Sequence, residues 1–115
     1  MKWYNNLYIS PSAKKKSKKI VWKIKHKAGL INVYVISLAS NSTNLLDIIP
    51  SSDLLFLSYP RNDVKVLGIA KGYDEAVELA CQIVMEVYSN TGSFKVRKYF
   101  QDSFKEVSRW TSYWF

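Results

Sequence analysis

The chain has very little of the residues from which disulfides and metal sites are built. Its 115 residues include one cysteine, Cys81, and one histidine, His26. A single thiol excludes an intramolecular disulfide and a cysteine metal cluster, and a lone histidine lacks the partners that metal binding or acid–base catalysis requires. We therefore predict no metal, no cofactor and no small-molecule substrate. We interpret Cys81 as a buried structural cysteine and His26 as a packed strand residue.

The sequence also lacks a long hydrophobic run. The best apolar segments, residues 45–49 and 54–57, are far shorter than the roughly 18 residues that a membrane-spanning helix needs. The apolar segment at residues 3–9 is interrupted by two asparagines and is followed by lysines rather than by a cleavage site, so we predict no signal peptide. These absences predict a cytoplasmic protein with no membrane partner.

Acidic residues are missing from the first quarter of the chain. Residues 1–28 hold nine lysines and no Asp or Glu, whereas the remaining residues hold eight Lys or Arg and nine acids, so the net charge of +8 comes from one end. Such a block of lysines is the electrostatic footprint of a phosphate binder. The leading hypothesis is non-specific binding of RNA or DNA, with RNA or single strands preferred. The candidate binding residues are Lys14, Lys15, Lys16, Lys18, Lys19, Lys23, Lys25 and Lys27.

Two interpretations of this lysine block stay open. Residues 12–19 are too charged to pack, and self-repulsion predicts a mobile hairpin loop that only keeps the protein soluble. Alternatively, the lysines bind phosphates while neighbouring aromatic residues stack on bases. Stacking by Trp22 is disfavoured, because residues 20–27 alternate as a strand that turns Trp22 and His26 toward the core and the lysines outward.

The most regular pattern in the chain is a strand followed by a helix. Residues 64–70 form the predicted strand, and apolar residues then recur at helical spacing over residues 74–89, with acids on the opposite stripe. Asp74 is the predicted N-cap, and the helix is predicted to close at Asn90-Thr91-Gly92, where either Asn or Gly can take the left-handed conformation. The turn between strand and helix matches neither the P-loop nor the dinucleotide motif, so we interpret it as structural.

The remaining segments complete a single predicted α+β domain over residues 1–115. Further strands are predicted at residues 7–9, 20–27, 31–39 and 94–98, and short helices at residues 44–49 and 53–58. The resulting order, β-β-β-short α-β-α-β-α, predicts a mostly antiparallel sheet with the helices packed on one face. Residues 31–39 are apolar on both sides, which predicts an interior strand.

The C-terminal segment, residues 100–115, is predicted to form an aromatic helix. Its end carries more large aromatic side chains than one helical turn normally buries: Trp110, Tyr113, Trp114 and Phe115. Exposed aromatic clusters are typical of interfaces. The alternative hypothesis is therefore a protein–protein interaction module or a homodimer through this helix, although the helix can also fold back over the sheet and complete the core.

A third hypothesis is a ribonuclease of toxin type. It would bring His26, Arg97, Tyr99 and Arg109 together near the basic strands. No serine stands in a nucleophile motif, and we assign no catalytic residue. The sequence favours a binding protein over an enzyme.

Three short sequence segments occur together: residues 44–50 (NLLDIIP), 68–76 (GIAKGYDEA) and 86–92 (EVYSNTG). In these segments the chain resembles a group of small uncharacterised bacterial proteins with a lysine-rich N-terminal third. The resemblance extends from about residue 7 to residue 98. That group has no assigned activity. The resemblance therefore implies no catalytic residue, cofactor or partner.

Overall fold

The structure, a computed structural model, describes residues 1–40, 43–55, 64–101 and 103–106. Within these ranges the strands are β1 (Lys2–Ile9), β2 (Val33–Leu38), β3 (Leu46–Pro50), β4 (Lys65–Lys71) and β5 (Phe104–Glu106). The α-helices are α1 (Ser17–Lys25), α2 (Tyr73–Thr91) and α3 (Val96–Phe100), and two 3₁₀ helices span Pro11–Lys16 and Ser51–Leu55. The predicted α+β class is confirmed.

The strands form one mixed sheet with the order β3-β2-β4-β1-β5. β1 and β4 run parallel, whereas β2 pairs antiparallel with β3 and β4, and β5 pairs antiparallel with β1. The prediction of a mostly antiparallel sheet is therefore wrong, as is the predicted element order. A parallel pair requires a long crossover connection, and the chain from α1 through β3 supplies it. β2 lies between β3 and β4, which confirms the predicted interior strand.

Helices cover both faces of the sheet, which corrects the prediction that they pack on one face. The first core lies under α1 and both 3₁₀ helices, which contribute Ala13, Ile20, Val21, Ile24 and Leu54. The second core lies under α2 and α3, which contribute Ala76, Leu79, Ile83, Val87, Val96 and Phe100. Neighbouring residues Val35 and Ile36 of β2 belong to opposite cores and are both fully buried. The sheet is thus the middle of three layers.

The main correction concerns residues 20–27, which were predicted as a strand: residues 20–25 belong to α1, and His26 and Lys27 form the turn that follows it. Ile20, Val21 and Ile24 are buried, and this spacing of one and four residues matches one face of a helix, not one face of a strand. The preceding residues form the 3₁₀ helix that begins at Pro11, where the fixed φ of proline suits a first helical position. Residues 12–19 therefore lie in helical segments, and the predicted hairpin loop is wrong.

Other short segments also differ from the prediction. Residues 46–49 of the predicted first short helix belong to β3, and residues 96–98 of the predicted last strand belong to α3. Apolar patterns this short fit either a helix or a strand. Pairing with β2 makes the first segment a strand, and packing under α2 makes the second a helix. In the predicted C-terminal helix, Phe100 ends α3 and Phe104–Glu106 is a strand, whereas residues 107–115 lie outside the described residues. Residues 56–58 of the predicted second short helix lie outside them as well.

α2 confirms the strongest helix prediction and corrects two details of it. The helix ends at Gly92, whose φ is 73° and whose N–H donates to the carbonyl oxygen of Tyr88 at 2.7 Å. It begins at Gly72, with φ of 90°, and not at Asp74, which lies in the first turn where the helix dipole favours a negative charge. Cys81 is exposed on the outer face of α2, and not buried as predicted.

Gly68 sits where three elements approach closely. β4 has one extra residue between Val66 and Gly68 relative to β2, which forms a β-bulge. A Cβ atom on Gly68 would lie 2.8 Å from the carbonyl oxygen of Tyr8 in β1 and 3.2 Å from Cδ2 of Leu79 in α2. Neither neighbour can move without disturbing the β1–β4 pairing or the second core. The close approach therefore requires glycine.

We expect Gly68→Ala to destabilise the protein by about 1–3 kcal/mol, because an added methyl group overpacks this contact. Gly29→Ala is the matched control, since no atom lies within 4 Å of a Cβ at Gly29. Urea unfolding followed by circular dichroism measures both free energies of unfolding. Equal stability of Gly68→Ala and the wild type would show that β1 and α2 are not held at this distance.

Candidate nucleic-acid interface

The exposed face of α1 combines positive charge with an aromatic surface. A helix turns about 100° per residue, so the buried residues Ile20, Val21 and Ile24 define one face and the residues between them define the other. The outer face carries Lys18, Lys19, Trp22, Lys23 and, just beyond the helix, His26. As a helix, this segment places Trp22 among lysines. The predicted strand would have placed Trp22 opposite them, in the core.

Trp22 and His26 form an exposed stacked pair. Their rings are 4.1 Å apart between centroids with an interplanar angle of 21°, which is the geometry expected for residues four apart on a helix. Nδ1 of His26 donates to the carbonyl oxygen of Trp22 at 2.8 Å, which fixes the imidazole against the indole. Trp22 remains 42% exposed. The inward orientation predicted for both residues is wrong, and the pair presents a flat aromatic surface to solvent.

The predicted lysines differ in how fully they face solvent. Lys14, Lys15, Lys16, Lys18, Lys19 and Lys27 are exposed, and Lys23 is half-buried. Lys25 departs most from the prediction, since its Nζ atom lies 5.4 Å from the centroid of the buried Trp3 ring and burial lowers the pKa of its ammonium group. This cation–π contact favours a packing role for Lys25 over phosphate binding.

Hydrogen bonds of the residue just before it hold the start of the lysine-rich 3₁₀ helix against the sheet. Ser10 is fully buried and its N–H donates to the carbonyl oxygen of Ile69 at 3.0 Å, while its hydroxyl accepts from the N–H of Lys71 at 3.1 Å. The carbonyl oxygen of Ser10 accepts from the N–H of Ala13 at 3.0 Å, and Ala13 is fully buried. These contacts hold one side of the segment against the sheet, so that its lysines can only point outward.

Glu75 of α2 adds a second anchor. The N–H of Ser12 donates to Oε1 of Glu75 at 2.9 Å, and the Ser12 hydroxyl donates to Oε2. These hydrogen bonds, the hydroxyl first, lower the pKa of the Glu75 carboxyl. No local pattern predicts this contact, because Ser12 and Glu75 are far apart along the chain and neither belongs to a motif. Glu75 therefore positions the lysine segment without belonging to its charged surface.

The other N-terminal aromatic residues do not join this surface. Trp3 is buried in the first core, and Tyr4 and Tyr8 pack on the opposite face of the sheet with Phe100. The Tyr8 hydroxyl donates to Oε2 of Glu86 at 2.9 Å, and burial, followed by this hydrogen bond, raises the pKa of Tyr8. Of the aromatic residues considered for base stacking, Trp22 is the one that the structure exposes.

The C-terminal turn of α1 holds this surface in place. The N–H of Ala28 donates to the carbonyl oxygen of Lys23 at 2.8 Å, and the N–H of Lys27 donates to that of Ile24 at 3.2 Å. These two bonds make a Schellman motif, in which glycine is usual at the position that Lys27 occupies. Lys27 has φ of 56°, a left-handed conformation that is unfavourable for a residue with a Cβ atom.

The structure separates the residues that the ribonuclease hypothesis would bring together. His26 follows α1 over the first core, whereas Arg97 and Tyr99 belong to α3 over the second core, on the other side of the sheet. Arg97 donates to the carbonyl oxygen of Ala39, and Tyr99 accepts from Nδ2 of Asn90 at 2.8 Å. Arg109 lies outside the described residues. The described members of this set do not converge on one site.

The predicted aromatic interface falls on a part of the chain that the structure leaves undescribed. Trp110, Tyr113, Trp114 and Phe115 lie outside the described residues, so the interaction-module and homodimer hypotheses stay predictions. Across the described ranges, no group of His, Cys, Asp or Glu side chains is arranged to hold a metal ion. Nor is any helix in those ranges long and apolar enough to cross a membrane.

Comparison of the chain with protein-family models, with curated proteins and with solved structures finds no match. The function is therefore argued from the geometry of the chain itself. Exposed positive charge and an exposed aromatic pair occur together on the outer face of α1 and the adjoining 3₁₀ helix, a surface that we call the basic face. It consists of Lys14, Lys15, Lys16, Lys18, Lys19, Trp22, Lys23 and His26.

We expect Lys27→Gly to stabilise the protein by about 1 kcal/mol, because glycine adopts the left-handed conformation without steric cost. Thermal unfolding measures the effect as a higher Tm. Lys27→Ala is the matched control, since it removes the same charge but keeps the Cβ atom, and we expect its Tm to stay near that of the wild type. Equal gains from both variants would attribute the effect to charge repulsion instead of backbone strain.

Proposed function

We propose that this chain is a cytoplasmic, non-enzymatic module that binds single-stranded nucleic acid non-specifically through the basic face. The observation that carries the proposal is the exposed Trp22–His26 pair in the middle of a lysine-rich helix surface. Positive groups track a phosphate backbone, and an aromatic ring gives unpaired bases a surface to stack on. These two properties meet on one face of α1.

The charge pattern supports binding without sequence recognition. The segment carries lysines and no arginine, and lysine acts as a point charge rather than as a planar donor that recognises base edges. Phosphate contacts made in this way carry no direct sequence information. If the five exposed lysines from Lys14 to Lys19 all contact phosphates, the log–log salt slope for a single strand is about −3.5.

The aromatic pair supports single strands over duplexes. In a duplex the base faces are already stacked on each other, so an indole ring on a protein surface has no free base face to contact. In a single strand each base can stack on Trp22, with a gain of about 1–3 kcal/mol per base. The pair therefore favours RNA or DNA with unpaired bases.

We expect Lys18→Gln/Lys19→Gln to reduce the magnitude of the salt slope by about 1.4, because each lost phosphate contact removes about 0.7. Fluorescence anisotropy of a labelled single-stranded RNA, titrated between about 50 and 200 mM salt, measures the slope. The matched control is Lys95→Gln/Lys98→Gln. It removes two exposed lysines from the opposite layer of the molecule, and its slope should equal that of the wild type. A similar loss in both variants would show that only net charge matters.

We expect Trp22→Ala to weaken binding of single-stranded RNA by about 1–3 kcal/mol at constant salt and to leave the salt slope unchanged, because stacking involves no counterion release. Trp22→Phe should keep part of the affinity. The same anisotropy assay applies, with duplex DNA as a second ligand on which Trp22→Ala has little effect.

Tyr88→Ala is the matched control for the stacking variant. Tyr88 is 43% exposed, as Trp22 is 42% exposed, and it also forms a stacked pair, with Phe94 at 4.7 Å. This second pair lies on α2, on the other side of the sheet. Wild-type affinity in Trp22→Ala, or an equal loss in Tyr88→Ala, would contradict the proposed role of the basic face.

A further inference from the structure

A cavity of about 160 Å³ opens beside the basic face. It lies between α1, the connection into β2 and the end of β4, and its floor is apolar, with Ile20, Leu30 and Val33. Four lysines line it: Lys16, Lys19, Lys23 and Lys71. Its described lining contains no carboxylate. The cavity is therefore a small concave site whose described charged side chains are all positive.

The four lysines reach the cavity from three elements. Lys16 ends the first 3₁₀ helix, and Lys19 and Lys23, four residues apart, lie on one face of α1. Lys71 is the last residue of β4, and the Ser10 hydroxyl fixes its N–H at 3.1 Å. Like charges held around one small volume repel each other, and an anion between them removes that repulsion. The arrangement is thus that of a site for an anion.

We infer that the cavity binds a phosphomonoester group. A cavity of about 160 Å³ holds several water molecules, which is room for a phosphate group. Pockets for larger ligands start at roughly 300 Å³. A phosphomonoester carries about −1.5 to −2 charge at pH 7 and three acceptor oxygens, whereas a backbone diester carries one charge and a sugar on each side. Four lysines match the monoester better.

The acidic groups nearby face another cavity. Asp74 and Glu75 line a larger space at the start of α2, of about 550 Å³, together with Gly72 and Tyr73. Ser12 and Lys71 line both spaces, and the Glu75 carboxylate is engaged by Ser12. The carboxylates would repel a phosphate from the larger space. The smaller, lysine-lined cavity is therefore the one that suits an anion.

Two sources can supply such a phosphate: the end of a nucleic-acid strand or a free phosphate compound. On α1, Lys19 and Lys23 lie about a quarter of the helix circumference from Trp22, which is about 9 Å on a cylinder 10–12 Å across. A base on Trp22 and a terminal phosphate in the cavity can thus belong to one strand end. This strand source rests on the proposed function, whereas the free compound does not.

The first arm of the test compares two short single-stranded RNAs labelled at the 3′ end, one with a 5′-monophosphate and one with a 5′-hydroxyl. We expect the phosphorylated strand to bind about three- to tenfold more tightly, as a charge-assisted contact allows. Lys71→Gln should abolish this difference and leave the affinity for the hydroxyl strand within about twofold, because Lys71 lies outside the basic face. Lys65→Gln, at the other end of β4, is the matched control and should keep the difference.

The second arm measures the Tm of the protein with ribose 5-phosphate and with ribose. A rise in Tm with the phosphate compound that is absent in Lys71→Gln supports the site with a small molecule as its source. A phosphate-dependent difference confined to the first arm supports the site with a strand end as its source. The inference is overturned if neither arm responds to phosphate, or if the response survives in Lys16→Gln/Lys71→Gln. If wild-type protein binds neither RNA at all, the proposed function fails and the second arm alone decides on the site.

Discussion

The parallel pairing of β1 with β4 determines where the charge of this protein is placed. Because the two strands run in the same direction, their carboxyl ends meet at one edge of the sheet, where Ser10 follows β1 and Lys71 ends β4. The hydroxyl of Ser10 accepts from the N–H of Lys71 at 3.1 Å, and the N–H of Ser10 donates to the carbonyl oxygen of Ile69 at 3.0 Å. The chain must leave this edge by a crossover over one face of the sheet, and the crossover begins with the lysine-rich segment. One pairing thus positions the basic face, the cavity and the start of α2.

The sheet then separates two layers with different surfaces. The layer of α1 carries the lysine-rich segment, in which residues 1–28 contain no acid, although the second 3₁₀ helix of this layer contributes Asp53. The layer of α2 and α3 mixes Glu78 and Glu86 with the bases of α3. We therefore expect a polyanion to be attracted most strongly to the first layer, where few negative groups among the described residues oppose it. Electrostatic steering of this kind orients a ligand before any specific contact forms.

The elements that the sequence predicted well are those with a sustained pattern. β2 and β4 are apolar on both sides and lie inside the sheet, and the apolar stripe of α2 runs from Ala76 to Val87. The errors fall on segments too short to distinguish a period of 2 from one of 3.6. Residues 20–27 fit both, and the outcome depends on Ile20, Val21 and Ile24 packing against the sheet, which is a tertiary effect. The β1–β4 pairing joins segments far apart along the chain, and no local pattern encodes it.

For the candidate site, the sequence likewise predicts which residues are present but not the conformation that arranges them. The lysines are evident from the sequence, since their density alone identifies the region. Their arrangement depends on one choice of secondary structure, because a strand would bury Trp22 and a helix exposes it among lysines. The place of Lys71 in the cavity and the hydrogen bonds from Ser12 to Glu75 depend on the fold itself, since both residues come from the distant β4–α2 unit. Predicting a strand in place of α1 therefore left the location of the candidate site unchanged. It missed the exposed aromatic surface on which the proposed binding depends.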